Sequence, residues 1–172
     1  RGWGKTRTGA EWIKTQALAT PGTRWAVVAP TYSDARDTCI EGESGLLSIL
    51  PKDRIGTWNR SLGELIFANG SRVKLFSADE PDRLRGPQHN GAWCDELAAW
   101  RYTEAWDQLQ FGLRLGDKPR TVITTTPRPI DLLLDLIERD NVKITKGSTF
   151  DNADNLAPAA LAELEYQYGD TR

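Results

Sequence analysis

Gly4-Lys5-Thr6, preceded by Arg1-Gly2-Trp3 and followed at once by a helix-forming stretch, constrains the fold of this chain more than any other feature. The six residues read as the last six positions of the phosphate-binding loop G-x-x-x-x-G-K-[ST]. Glycines in such a loop let backbone N–H groups turn inward around phosphate oxygens. The lysine reaches the outer phosphates, and the threonine hydroxyl is a ligand for Mg²⁺. A loop of this kind has to be followed by a helix N-terminus, whose partial positive charge favours anions, and preceded by a buried strand. The first glycine of the pattern would lie two residues before Arg1, and the strand further upstream. The chain is therefore expected to be part of a longer protein, starting inside its own nucleotide site.

The rest of the sequence supplies the elements this loop needs. Ala10, Ile13, Ala17 and Leu18 have helical spacing from Thr6 to about Ala19, with Pro21-Gly22 as the stop. Trp25 to Ala29 is an unbroken apolar run ended by Pro30, as expected for a parallel strand buried on both faces. Residues 34–50 read as helical with a break near Gly42 or Gly45. Two β-rich runs, 63–68 and 71–76, flank Asn69-Gly70, which predicts a hairpin at the edge of the sheet. Residues 77–90 predict loop with one helical turn at 81–84, and 91–94 a short strand ending in Asp95-Glu96. A helix is expected over 101–115, with Ala105, Leu109 and Gly112 on one side. The β-branched run 121–126 predicts a strand stopped by Pro127, and 130–139 a helix. A final strand is expected over 141–149, and a helix over 158–168 with Gly169 just past its end. Strands alternating with helices predict an α/β fold with a mainly parallel sheet.

Composition narrows the classes of function. Hydrophobic residues make up 39% and charged residues 27% of 172 residues, enough for one domain with a real core and too apolar for disorder. No apolar run approaches the roughly 20 residues of a membrane span. Cys39, Cys94 and the single histidine, His89, are too few for a disulfide framework or a zinc site, so the cysteines are expected to be small buried hydrophobes in a reducing compartment. A net charge of −2 gives no global attraction to nucleic acid, so any DNA contact must be a local patch or a property of an assembly. Of the seven tryptophans, Trp12, Trp25 and Trp93 fit the core, whereas Trp3 sits inside the loop.

Asp95-Glu96 at the end of an apolar strand is where a phosphate-loop hydrolase carries its acidic pair. The aspartate orients the ligands of Mg²⁺ and the glutamate polarises the attacking water. An Asp-Glu pair by itself is commonly a solvated one. With Gly4-Lys5-Thr6 and a parallel sheet, it suggests hydrolysis of ATP to ADP and phosphate.

Arg1-Gly2-Trp3-Gly4-Lys5-Thr6, Val27 to Tyr32 (Val-Val-Ala-Pro-Thr-Tyr), Leu84-Arg85-Gly86, Trp93-Cys94-Asp95-Glu96 and Thr124-Thr125-Thr126-Pro127 together resemble the large terminase subunit of tailed bacteriophages and related gene-transfer particles. The resemblance covers nearly the whole chain. It implies a RecA-like P-loop ATPase with helices flanking a mainly parallel sheet, its first strand missing from this sequence. That strand is expected at the centre of the sheet, where its loss would expose two edges. It also implies that ATP hydrolysis drives double-stranded DNA through a portal protein into a procapsid.

Residue by residue, the resemblance makes Arg1, Gly2, Trp3, Gly4, Lys5 and Thr6 the nucleotide-binding loop, with Arg1 as its unusual basic member. Thr6 and Asp95 become ligands of Mg²⁺, and Glu96 the catalytic base. Thr124, Thr125 and Thr126 resemble the coupling motif that senses the γ-phosphate, and Arg85 the arginine a neighbouring subunit inserts. The implied partners are double-stranded DNA, the portal protein, the small terminase subunit and further copies in a homo-oligomeric ring. The implied place is the cytoplasm of the infected host, transiently docked on the procapsid. The motor domain is expected over 1–169, with 170–172 starting a linker to a nuclease domain. Asp151, Asp154, Glu163 and Glu165 lack the strand-borne arrangement of two-metal chemistry, so no nuclease activity is expected of this chain.

Two alternatives remain. A DEAD/DEAH-type helicase would continue Asp-Glu with x-Asp or x-His, where this chain has Leu97-Ala98, and would carry Ser-Ala-Thr where it has Thr124-Thr125-Thr126. A non-hydrolysing nucleotide-binding regulator would have little use for Glu96.

Overall fold

Ala26, Val27, Val28 and Ala29 are all fully buried, which requires their strand to be covered on both faces. The computed structural model, which describes residues 4–147, shows how this is done. Helix α1 (Lys5–Ala19) leads into β1 (Arg24–Ala29), then a short α2 (Tyr32–Asp34) that continues as a π-helix (Ala35–Ile40), and α3 (Leu46–Ile49). Strands β2 (Ile55–Asn59), β3 (Glu64–Phe67) and β4 (Arg72–Ser77) follow, then a 3₁₀ turn (Pro81–Leu84) and β5 (Gly91–Asp95). After a second 3₁₀ turn (Leu97–Ala99) come α4 (Glu104–Gly112), β6 (Arg120–Thr124) and α5 (Asp131–Ile137). The strand order is β2-β3-β4-β1-β5-β6, with β4, β1, β5 and β6 parallel and β2 and β3 antiparallel additions.

The period-2 alternation of the strands divides the core. Trp25, Val27, Val73, Leu75 and Trp93 face Ala10, Ile13 and Ala17 of α1 together with Cys39, Ile40 and Leu46. Ala26, Val28, Phe76, Ala92 and Cys94 face Leu84, Leu97, Trp106, Leu109 and Leu136 on the other side. At about 1.5–3 kcal/mol for each large aliphatic or aromatic side chain buried, these two layers are the main force fixing the sheet against its helices. Trp12 and Trp25 meet edge to face at 5.6 Å and 89°. Both cysteines are buried and free, and burial raises both thiols so that they stay protonated. No helix among the described residues is long and apolar enough to cross a membrane.

Asn69-Gly70 forms the predicted turn, with Gly70 at φ 83°. Its side chains also reach the end of α1: Asn69 Nδ2 donates to the Ala17 carbonyl at 2.8 Å, and the buried Ser71 hydroxyl lies 3.0 Å from that carbonyl and 3.1 Å from the Thr20 carbonyl. The hairpin therefore satisfies the carbonyls at the C-terminus of the helix that carries Lys5.

Several expectations need correction. The hairpin is not at the edge of the sheet, because β2 pairs outside β3; with Gly56 and a largely exposed surface, β2 offers no alternating pattern to read. Among the described residues the six strands pair without a gap, with β2 and β6 at the edges and no opening at the centre. Strand β6 ends at Thr124, leaving Thr125 and Thr126 in irregular backbone. Helix α4 is shorter at both ends than 101–115, since Leu113 turns away to bridge His89. The described part of the 141–149 strand candidate, 141–147, is not a strand: its β-branched residues are mostly exposed and have no ladder to join. The expected helix over 158–168 lies outside the described residues.

Candidate functional site

The C-terminal ends of parallel strands, where connecting loops gather, are the standard site position in an α/β sheet. Asp95 closes β5, Thr124 closes β6, and the two are paired neighbours in the register. Beside them, α1 starts at Gly4, whose φ of 84° suits glycine. Among the described residues no side chain caps this helix, and its first turn has no acid but carries Lys5 and Arg7. That end keeps its positive potential for an outside anion. Thr6 is half-buried in the same turn. Arg1, Gly2 and Trp3 lie outside the described residues.

Lys5 joins the two halves of the site. Its ammonium is 3.4 Å from Thr126 Oγ1 and 3.8 Å from Glu96 Oε1, in a partly exposed position. Glu96 is the only non-glycine among the described residues with positive φ, at φ 49° and ψ 48°. This left-handed conformation costs about 1–2 kcal/mol, and such strain clusters where geometry serves function. It is held by the Glu96 N–H donating to the Thr124 carbonyl at 2.6 Å and the Thr126 N–H donating to Glu96 Oε2 at 3.3 Å. Thr125 accepts from the Ala98 N–H at 3.1 Å, tying the 3₁₀ turn to the end of β6. The three threonines therefore differ: Thr124 is buried, Thr125 braces the turn, and Thr126 meets Lys5 and Glu96.

Asp95 is 4% exposed. Its carboxyl is raised above the usual carboxylate range, chiefly by burial, with the neighbouring Glu96 charge adding to the shift and a hydrogen bond from Thr124 opposing it. A buried carboxylate beside a second one is a site that a cation would relieve. Among the described residues no cluster of three or more His, Cys, Asp and Glu side chains could hold a metal alone. The Asp95 carboxylate and the Thr6 hydroxyl are donor types that suit Mg²⁺, which binds through one or two carboxylates and shares the rest of its shell with water and phosphate oxygens.

The structure does not bring Arg85 to these groups. It lies at the end of the 3₁₀ turn Pro81–Leu84, two-thirds exposed, pairs with Asp82 at 3.4 Å, and lines a shallow groove with Tyr102, Glu104 and Gln108. Sequence reasoning did not assign a site role to Trp93, whose indole N–H donates to Thr124 Oγ1 at 2.7 Å. The signal available was its parity: Trp93 and Asp95 share one face of β5.

A family profile described as terminase large subunit, T4likevirus-type, N-terminal, matches residues 1–172. The chain belongs to the terminase large-subunit family. Among solved structures, this terminase chain is similar to the large terminase of a thermophilic bacteriophage, with a TM-score of 0.80 at 14% identity over 96% of this chain and 42% of that one. It is also similar to the same phage's large terminase in complex with ADP, with a TM-score of 0.73 at 14% identity over 91% and 40%. The large terminase ATPase domain of Thermus phage P74-26 matches with a TM-score of 0.60 at 20% identity over 83% and 64%. These likenesses establish the α/β fold, and the terminase chain spans about two-fifths of the thermophilic phage's protein. A search of curated proteins finds no match.

Proposed function

We propose that this chain is the ATP-hydrolysing motor part of a large terminase and that its turnover drives double-stranded DNA into a procapsid. One observation carries the reading: Lys5, Asp95, Glu96 and Thr126 come together from α1, β5 and β6 around one helix N-terminus that no side chain among the described residues caps. Relatives of the same fold include a thermophilic phage's large terminase in complex with ADP and in complex with ATP-γ-S, which supports a nucleotide as the anion.

In this reading the loop from Arg1 through Gly2, Trp3 and Gly4 wraps the phosphates, Lys5 neutralises the outer ones, and Thr6 and Asp95 hold Mg²⁺. The metal, when bound, supplies charge neutralisation along the phosphate chain. Glu96 takes a proton from the attacking water as its oxygen bonds to the γ-phosphorus and the bridging P–O bond to ADP breaks. The Glu96 carboxylate is engaged by Lys5 and the Thr126 N–H. Phosphate would draw Lys5 away and free Glu96 for water. Arg85 faces outward from its own site, which suits insertion into the site of a neighbouring copy in a homo-oligomeric ring. DNA, the portal protein and the small terminase subunit are the partners of such a ring, docked on the procapsid in the host cytoplasm.

The test is Glu96→Gln in the complete large subunit. ATP turnover should fall by about 10²–10⁴, the range of a general base, with binding of a fluorescent ATP analogue retained. Unchanged turnover would overturn the assignment.

A further inference from the structure

We propose that Trp93 and Thr124 form a one-way hydrogen-bond relay that positions the Asp95 carboxylate, Trp93 acting only through Thr124. The inference rests on the reading of Asp95 as a metal-holding carboxylate and assigns the parts around it. Trp93 Nε1 lies 2.7 Å from Thr124 Oγ1, which lies 2.8 Å from Asp95 Oδ1. All three residues are buried, so water does not compete for these bonds.

The direction of the chain follows from the donors. An indole N–H can only donate, and a threonine hydroxyl has a single proton. With one hydroxyl lone pair filled by Trp93, that proton goes to Asp95. Two consequences follow. The Asp95 carboxylate has Oδ1 committed to Thr124, and the Cys39 thiol hydrogen-bonds the same carboxyl, which together fix its rotation. Thr124 in turn has no proton left for a phosphate oxygen. Of the three threonines in sequence, Thr124 thus serves the carboxylate, and response to the γ-phosphate falls to Thr126, whose hydroxyl lies 3.4 Å from Lys5 Nζ.

Trp93 is itself held in place. A Cβ built on Gly9 would fall 2.1 Å from Trp93 Cε2 and 2.3 Å from Nε1, so any larger residue there would displace the ring edge that makes the bond. Gly9 is the fifth residue of α1, the helix that begins with Lys5 and Thr6. One indole therefore sets the phosphate-facing helix and the carboxylate in a fixed relation.

The experiment uses the complete large subunit and reads binding of a fluorescent ADP analogue against Mg²⁺ concentration, with an EDTA arm. Thr124→Val should raise the Mg²⁺ half-saturation by about tenfold or more, as loss of a hydrogen bond to a metal ligand does. Thr124→Ser, which keeps the hydroxyl, should restore the wild-type value. Trp93→Phe should shift half-saturation in the same direction, and the shift should vanish in the Thr124→Val background, the signature of a shared path. Independently of metal, the Trp93 indole proton should be protected from exchange in the wild type and lose protection in Thr124→Val. An unchanged Mg²⁺ half-saturation in Thr124→Val overturns the relay; should that variant fail to fold, an unchanged value in Trp93→Phe does so. A wild type that binds the analogue with no Mg²⁺ dependence overturns the reading of Asp95 itself, a distinct result.

Discussion

His89 makes the stability of this protein sensitive to mild acid. It is the sole histidine, 3% exposed, and stands edge-on to Phe76 at 5.5 Å. Its Nε2 has no hydrogen-bond partner among the described residues. Burial is the main cause that pushes it from the ordinary 6.5 down to about 4, and the positive charge of Arg24 adds to the shift. The folded state thus holds the neutral ring until about pH 4, whereas the unfolded chain takes up a proton near 6.5. The contribution of neutral His89 is fully present above pH 6.5 and is lost as pH falls from 6.5 towards 4, because at this group the unfolded state binds more protons throughout that window. A gap of about 2.5 pKa units, at about 1.4 kcal/mol each, gives a loss of about 3 kcal/mol. Against a typical total of about 5–15 kcal/mol, that is a large share.

Urea unfolding of the wild type and of His89→Leu, from about pH 7.5 to about 4.5, measures the effect. Other groups titrate in both proteins, so the difference between the two curves isolates His89. The wild type should lose stability relative to the variant by about 1.4 kcal/mol per pH unit at most, reaching about 2–3 kcal/mol at the acid end. Because the chain has one histidine, its NMR titration is read without assignment. Parallel stability curves, or a ring that titrates near its ordinary 6.5 in the folded protein, would refute the reasoning.

Three further outcomes follow from the geometry. Glu96→Gly should be more stable than Glu96→Ala by about 0.5–1 kcal/mol, since both lack the carboxylate and only alanine keeps the left-handed strain, less the entropy glycine restores to the unfolded chain; equal melting temperatures would count against strain at this position. Ser71→Ala should cost about 1–3 kcal/mol in thermal or urea unfolding, because it leaves the buried Thr23 N–H without its acceptor, whereas the Ala17 and Thr20 carbonyls keep Asn69 Nδ2 and Thr23 Oγ1 as donors. Arg85→Ala subunits mixed with Glu96→Ala subunits should regain part of the ATP turnover that neither has alone, and no recovery at any ratio would argue against an arginine acting between copies.

What sequence revealed and what it hid follow one physical division. Elements whose signal is local were legible: the glycine-stopped α1, the unbroken apolar β1, the Asn69-Gly70 turn and the short turn at Pro81–Leu84 each carry their cause within a few residues. Strand β2 was not, because a half-exposed strand on the rim is specified by the partner that pairs with it, and Ile55–Asn59 shows no alternation of its own. The same division runs through the site. Lys5, Asp95 and Glu96 were visible as residue types in a spacing, but the roles of the three threonines depend on which strand lies beside which. The Thr124 hydroxyl meets Asp95 only because β6 pairs with β5 in a register that sets those two residues side by side, 29 positions apart in sequence. Given that register, parity does the rest: Trp93 and Asp95 share a face of β5, so a hydroxyl opposite Asp95 lies within reach of the indole as well. A single residue of register slip would turn Thr124 to the opposite face and leave a buried carboxylate without its threonine donor and a buried indole N–H without its acceptor. Fixing the sheet's register and completing the acidic site are therefore one event, and the buried polar chain that orients Asp95 also selects how β5 and β6 pair.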